Sequence, residues 1–281
     1  MNELPMNIQR AVRRYEKVEM YGLVFWPVLV KEYTEWLAAR PALEVLHQSL
    51  PVALMRIPLL SALYKMDFEA AISGKTPSGL FGRTLLALAL SLRLGEGMEP
   101  EKRIGLFRLA VERGKPENLT RLYFTDTGGE EREITPAQYQ TVRQIIAAQN
   151  GVRLESDRAN PEIVKAQKDM ASGGAKLDAN VYDLVSAVAA LSGADEAQIY
   201  EWPIIKLEAR AQSWRRILDY LVCGFGEVNG TTWKTGNPTP HPFFARVNDG
   251  SGVLRPMDGG NGRPMPGIVR ESLQNTQNLL P

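Results

Sequence analysis

Leu80 to Leu94 is the stretch that most narrows what this chain can fold into. Its only charges are Arg83 and Arg93, and its apolar residues run nearly all the way round a helix. Such a helix has no face to give to water, so it has to sit at the centre of a helical domain. The two arginines and the length suit a buried helix better than a membrane span, and the apolar run from Gly22 to Val30 is too short to span and contains Pro27. No cleavage-site pattern follows Arg10, Arg13 and Arg14, so secretion is not expected. With 281 residues and 44% apolar content, the chain has material for one large domain or two smaller ones. A chain of that size buries about 75% of its unfolded surface, which is enough core without disulfides or a metal.

The rest of the chain divides by pattern. Residues 1–18 form a basic N-terminal arm, an exposed amphipathic helix with Ile8, Val12 and Tyr15 at helical spacing. Residues 19–151 make a helical and β-hairpin domain. In it, Tyr21 to Trp26 reads as a buried strand ended by Pro27. A helix begins near Val30 with Tyr33, Leu37, Leu43 and Leu46 on one face, kinked or split at Pro41. Pro51 and Pro58 punctuate an apolar segment from Val52 to Met66, and Ser73 to Gly79 is a loop. Ile104–Val111 and Leu119–Thr125 are strand-like around a turn at Arg113–Asn118. With a second turn at Asp126–Gly129 and a strand near Arg132–Ile134, they predict a small antiparallel meander. Thr135–Pro136–Ala137–Gln138 has the chemistry of a capping box, and Asn150–Gly151 stops the helix that follows.

Residues 152–177 are polar and read as a linker region, with Asn160–Pro161 opening a charged helix up to Met170 and Ser172–Gly173–Gly174 after it. Residues 178–228 form a helical module. In it Asp178 caps a helix carrying Val181, Leu184, Val185, Val188 and Leu191, and Ser192–Gly193 ends that helix. A short acidic helix spans Ala194–Glu201, and Pro203 starts a longer one with Ile204, Leu207, Ile217, Leu218 and Leu221 as apolar contacts. Residues 229–281 contain eight Gly and seven Pro, about 28% of that stretch, and read as an extended Gly/Pro-rich C-terminal arm. The expected fold class is mainly α with a small antiparallel β section.

Chemistry is scarce. Lys+Arg is 33 and Asp+Glu 32, so no excess positive charge marks a nucleic-acid binder. Arg210, Arg215 and Arg216 with Trp214 could grip a phosphate and stack a base, but a solvated helix face explains them more simply. The single Cys223 excludes an internal disulfide and Cys-rich zinc sites. A thiol enzyme using Cys223 with His47 or His241 needs an activated thiolate, and Cys223 sits in an apolar helical run. GKTPSG at 74–79 lacks the spacing of a phosphate loop, and in Gly224–Phe225–Gly226 the third glycine of a dinucleotide fingerprint comes one residue late. Acid pairs such as Asp195 and Glu196 are helix-start charges. No cofactor, metal, nucleic acid or membrane is expected.

Residues 178–218, DANVYDLVSAVAALSGADEAQIYEWPIIKLEARAQSWRRIL, run helix, Ser/Gly turn, short helix, Trp202–Pro203, then a helix bearing Leu207–Glu208. This order resembles the helical module of tailed-phage tail assembly chaperones, where a short pick-up helix precedes a final Leu–Glu-bearing helix. The runs YGLVFWPVLVKEYTEWL from Tyr21, LSALYKMDFEA from Leu60 and IIAAQNGV from Ile145 are also similar to larger proteins of phage and prophage tail gene clusters. The chain is longer than the small chaperones and inserts the β-rich section at 104–134.

The resemblance implies a non-enzymatic tail assembly protein of the host cytoplasm that binds tape-measure or tail-tube proteins. The alternatives are a permanent structural component of a tail or baseplate, self-associating and located in the virion, and a cysteine-dependent enzyme. The candidate partner-binding residues are Trp202, Leu207, Trp214 and Ile217 in the module. In the arm they are Trp233, Pro238, Pro240, Phe243 and Phe244, aromatics set between prolines.

Overall fold

Helices of five to fourteen residues and two small antiparallel β units make up the first 150 residues. The computed structural model describes residues 4–155, 162 and 180–229. Its helices are α1 (Met6–Arg13), α2 (Tyr33–Leu43), α3 (Leu59–Ile72), α4 (Leu80–Ser91), α5 (Pro100–Ile104), α6 (Pro136–Gln149), α7 (Val181–Ser192), α8 (Glu196–Tyr200) and α9 (Ile204–Val228). Strands β1 (Val18–Met20) and β2 (Leu23–Phe25) form an antiparallel pair, and β3 (Arg108–Glu112), β4 (Lys115–Thr125) and β5 (Glu131–Ile134) form an antiparallel sheet in the order β3-β4-β5. The class is therefore mainly α with a small antiparallel β section. The chain divides into two compact units, Met1–Gln212 and Ser213–Pro281.

In the first unit α4 is the central helix: Leu85, Leu86, Ala87, Leu88, Ala89 and Leu90 are all buried. Its N-terminus is closed by Asp67 of α3. One carboxylate oxygen accepts from the Gly79 amide at 3.2 Å and the Ser78 hydroxyl at 2.6 Å, and the other from the Phe81 amide at 3.0 Å. The helix end that an anion could have used after GKTPSG is thus filled by the protein's own carboxylate. Helix α3 is tied to β4 by Ser61, whose hydroxyl donates to the Leu119 carbonyl at 3.0 Å, and by Tyr64, which donates to the Pro116 carbonyl at 2.9 Å. Tyr64 also meets Phe81 edge-on, with ring centroids 5.1 Å apart.

Several expectations are corrected. The 1–18 segment is not a solvated arm, because Ile8 is buried in the core cluster and holds α1 against the body. The strand expected over Tyr21–Trp26 is present as β2 over Leu23–Phe25, with Leu23 and Phe25 buried, but it is the second arm of a hairpin with β1. Tyr21 and Gly22 turn at φ 56° and 72°, both left-handed, so Tyr21 is at the tip and exposed rather than buried. On α2 the buried face is Trp36, Ala39, Ala42 and Leu43; Leu43 and Leu46 are buried as expected, but Leu37 lies a helical step round from Trp36 and is exposed, and the helix starts at Tyr33 after a 3-10 turn at Val30–Glu32. Pro41 neither kinks nor splits it midway, since α2 ends two residues later at Leu43. The meander's first turn is two residues, Arg113–Gly114, with Gly114 at φ 80°, and Ile104 closes α5 instead of opening a strand. The cap of α7 is Asn180, whose side chain accepts from the Tyr182 amide.

Nor does a boundary separate residues 180–212 from the body: Val185, Val188, Ile199, Ile204 and Leu207 belong to the same core cluster as Phe25 and Leu88. Most of the proposed linker, 156–161 and 163–177, lies outside the described residues, as does the arm beyond Asn229.

Candidate protein-binding surface

The α7–α8–α9 region is seated on the body by backbone pairing. Leu29 and Pro203 face each other in an antiparallel bridge. The Val30 amide donates to the Trp202 carbonyl, and the Ile204 amide to the Val28 carbonyl, each at 2.9 Å. The strand that receives them is itself held by the end of α6. Asn150 accepts from the Val28 amide at 2.8 Å and donates to the Ile146 carbonyl at 2.8 Å, while Gln149 donates to the Phe25 carbonyl at 3.0 Å. Lys31 adds ion pairs to Glu201 at 3.0 Å and Glu96 at 2.7 Å. Those two partners raise the Lys31 pKa, and Lys31 in turn holds the Glu96 carboxyl below its usual range.

Local rules form the module itself. Gly193 ends α7 in the left-handed conformation at φ 67°. Asp195 then accepts from the Ala197 amide at 3.1 Å to start α8, and Ser186 of α7 donates to Glu196 at 2.8 Å. Leu207 is fully buried in the core cluster, whereas Trp202 is half-buried beneath Lys206, whose ammonium stands 4.0 Å from the ring centre. Burial beside that ring, with Arg210 adding repulsion, lowers the Lys206 pKa. Two residues on, Glu208 is half-buried near Arg40 and Tyr33. Desolvation raises its carboxyl, and Arg40 offsets only part of this. Tyr33 is raised by burial first and by the Glu208 charge second.

The candidate residues thus separate. Leu207 is core and Trp202 a half-buried flank; neither presents an open apolar face. Trp214 and Ile217 lie in the second unit and are half-buried. Trp233, Pro238, Pro240, Phe243 and Phe244 lie outside the described residues. The surface that sequence reading missed is further along α9. Leu218 and Leu221, expected as internal contacts, are exposed together with Val222, Phe225 and Val228, at 46–85%. Their signal was present as spacing: 218, 221, 222, 225 and 228 fall on one helical face.

Among the described residues no group of His, Cys, Asp and Glu is arranged to hold a metal, and no helix is long and apolar enough to cross a membrane. His47 places a ring nitrogen 3.4 Å from the Leu54 carbonyl, and His241 lies outside the described residues. Gly224–Phe225–Gly226 lies within α9, where no strand-to-helix turn exists to cradle a pyrophosphate. Comparison with protein-family models, with curated proteins and with solved structures finds no match.

Proposed function

We propose that this protein is a non-enzymatic phage tail assembly protein that acts in the host cytoplasm. It binds tape-measure or tail-tube proteins while their apolar surfaces are still unassembled. The observation that carries this reading is the exposed apolar face of α9 at Leu218, Leu221, Val222, Phe225 and Val228. Five large apolar side chains on one face of a helix form the kind of patch that marks an interaction surface. Anchors at i, i+3, i+4 and i+7 are how one amphipathic helix engages another. The order of α7, the Gly193 turn, the short α8 and the Leu207-bearing α9 supports the same reading, because it parallels the module that the sequence resembles.

Co-expression with a tape-measure protein encoded beside this gene tests it. The expected outcome is more soluble tape-measure protein and its co-purification, both lost when Phe225 and Val222 are replaced by Ser. No gain in solubility together with no co-purification overturns the reading.

A further inference from the structure

The apolar face of the second half of α9, half-buried at Trp214 and exposed from Leu218 on, has a stricter pattern than amphipathicity requires. Trp214, Leu218, Leu221, Phe225 and Val228 follow one another at spacings of four, three, four and three. That is the seam of a two-helix coil, in which every second layer alternates between the two apolar heptad positions. A helix that packs on a broad protein surface needs a wider and less regular stripe. We propose that this half of α9 pairs with the same segment of a second copy of the chain, antiparallel, about a two-fold axis between Asp219 and Tyr220.

The register follows from the seam. Antiparallel alignment about that axis sets Leu218 against Leu221 of the second copy, and Trp214 against Phe225 of the second copy. The two copies contribute each layer reciprocally, as an isologous interface demands. Four layers result, two of leucine in the middle and one of Trp with Phe at either side.

Charge decides between orientations. In a parallel pair Arg210 flanks the seam on one helix and meets Arg215 of the other, a like-charge contact made twice. In the antiparallel pair Arg215 instead lies beside Val222 of the second copy, in a stretch of that helix that carries no cation. Between Tyr220 and Gly226 the helix carries no charge at all, so nothing in the seam has to be desolvated as an ion.

The face offers five side chains that are 46–85% exposed, a small patch whose burial falls at the low end of the areas that specific interfaces remove from water. A weak, reversible dimer is the expected result, which leaves the face open to exchange with another apolar helix. This inference stands independently of the tail-assembly reading, since it concerns the protein alone.

Light scattering on the full chain at about 100 μM tests it, as a dimer of micromolar affinity is then fully formed. The expected mass is twice that of the monomer, falling to one copy on dilution and in Leu221→Arg. Leu221 is exposed, so that variant retains its helical circular dichroism and, in dilute protein, its melting temperature. Orientation is read by disulfide trapping in a Cys223→Ser background. Mixed Arg215→Cys and Val222→Cys chains cross-link in the antiparallel register. In a parallel pair the two positions are seven residues apart, about 10 Å along the axis, and do not. A monomer at that concentration means the face is kept for another protein or for the chain's own remaining residues, and it overturns the proposal. A dimer indifferent to Leu221→Arg, or one without the mixed cross-link, overturns it equally.

Discussion

At the scale of single residues, the buried polar groups carry the least obvious part of the design. Arg143 is 1% exposed, yet its guanidinium donates from Nε to the Leu43 carbonyl and from Nη2 to the Val45 carbonyl, each at 2.7 Å. It satisfies the last carbonyl of α2 and one two residues beyond the helix, from a helix a hundred residues away, with a planar fork that Lys could not reproduce. Glu32 and Arg103 form a second buried pair at 2.8 Å. Glu208 is a different case, because its carboxyl is half-buried and desolvation outweighs the attraction of Arg40. The folded protein therefore holds the Glu208 proton more tightly than the unfolded chain does. Below the ordinary value of 4.5 both forms are protonated and the residue is harmless. As the pH rises through the raised folded pKa, the native state loses stability relative to the unfolded one. Glu208→Gln mimics the neutral form, so its melting temperature should exceed the parent's at pH 7, and the difference should vanish near pH 4. The Tyr33 phenol should titrate lower in the same variant, since the Glu208 charge is one of the causes that raise it. Equal melting temperatures at pH 7 would show that the carboxylate is adequately solvated after all.

At the scale of elements, what could be read in advance was what local chemistry dictates. The capping box of α6 is present as expected: Thr135 accepts from the Gln138 amide at 3.4 Å, and the Gln138 side chain accepts from the Thr135 amide at 2.9 Å. Thr135→Ala should cost about 1 kcal/mol, and Gln138→Ala added to it should cost less than it does alone: alanine keeps the backbone N–H from which Gln138 accepts, but without the Thr135 cap the first turn frays and that bond weakens. Urea unfolding of the two single variants and the double variant measures this, and strict additivity would mean that the two bonds act separately. The Gly193 stop and the Asp195 start were legible for the same reason: both are short-range. The Tyr21–Gly22 turn was not, because a tyrosine at φ 56° is rarely chosen and the surrounding aromatic run reads as strand. The bridge between Leu29 and Pro203 was beyond reach for another reason. It joins residues far apart in sequence, and nothing in either stretch names the other. That single long-range pairing brings α7 and α8 into the same core as the rest, so the linker-and-module division could not have been corrected from pattern alone. Of the candidate residues on α9, Leu207 is core and Trp214 and Ile217 are half-buried, because periodicity cannot say which apolar residues of a helix are covered.

At the scale of the whole molecule, α9 belongs to both compact units, since the boundary between Gln212 and Ser213 falls within it. Its apolar residues therefore serve two ends. Leu207 is fully buried among core side chains, while Leu218, eleven positions later, is 46% exposed. Truncating each to Ala removes the same atoms from the same helix, and Ala keeps helix propensity high at both positions. Any difference in outcome then reports burial. Leu207→Ala leaves a cavity in close-packed surroundings and should destabilise by about 2–5 kcal/mol. Leu218→Ala fills no core position and should change unfolding by no more than about 0.5 kcal/mol. Its effect should appear instead in association, as a lower dimer fraction by light scattering and weaker capture of an apolar partner helix. The two readouts should cross over: Leu207→Ala melts early without altering the exposed face, and Leu218→Ala melts with the parent but associates poorly. Calorimetry on dilute protein, where association contributes nothing, separates the terms. If Leu218→Ala melts as early as Leu207→Ala under those conditions, the second half of α9 is core, and the surface assigned to partner binding does not exist.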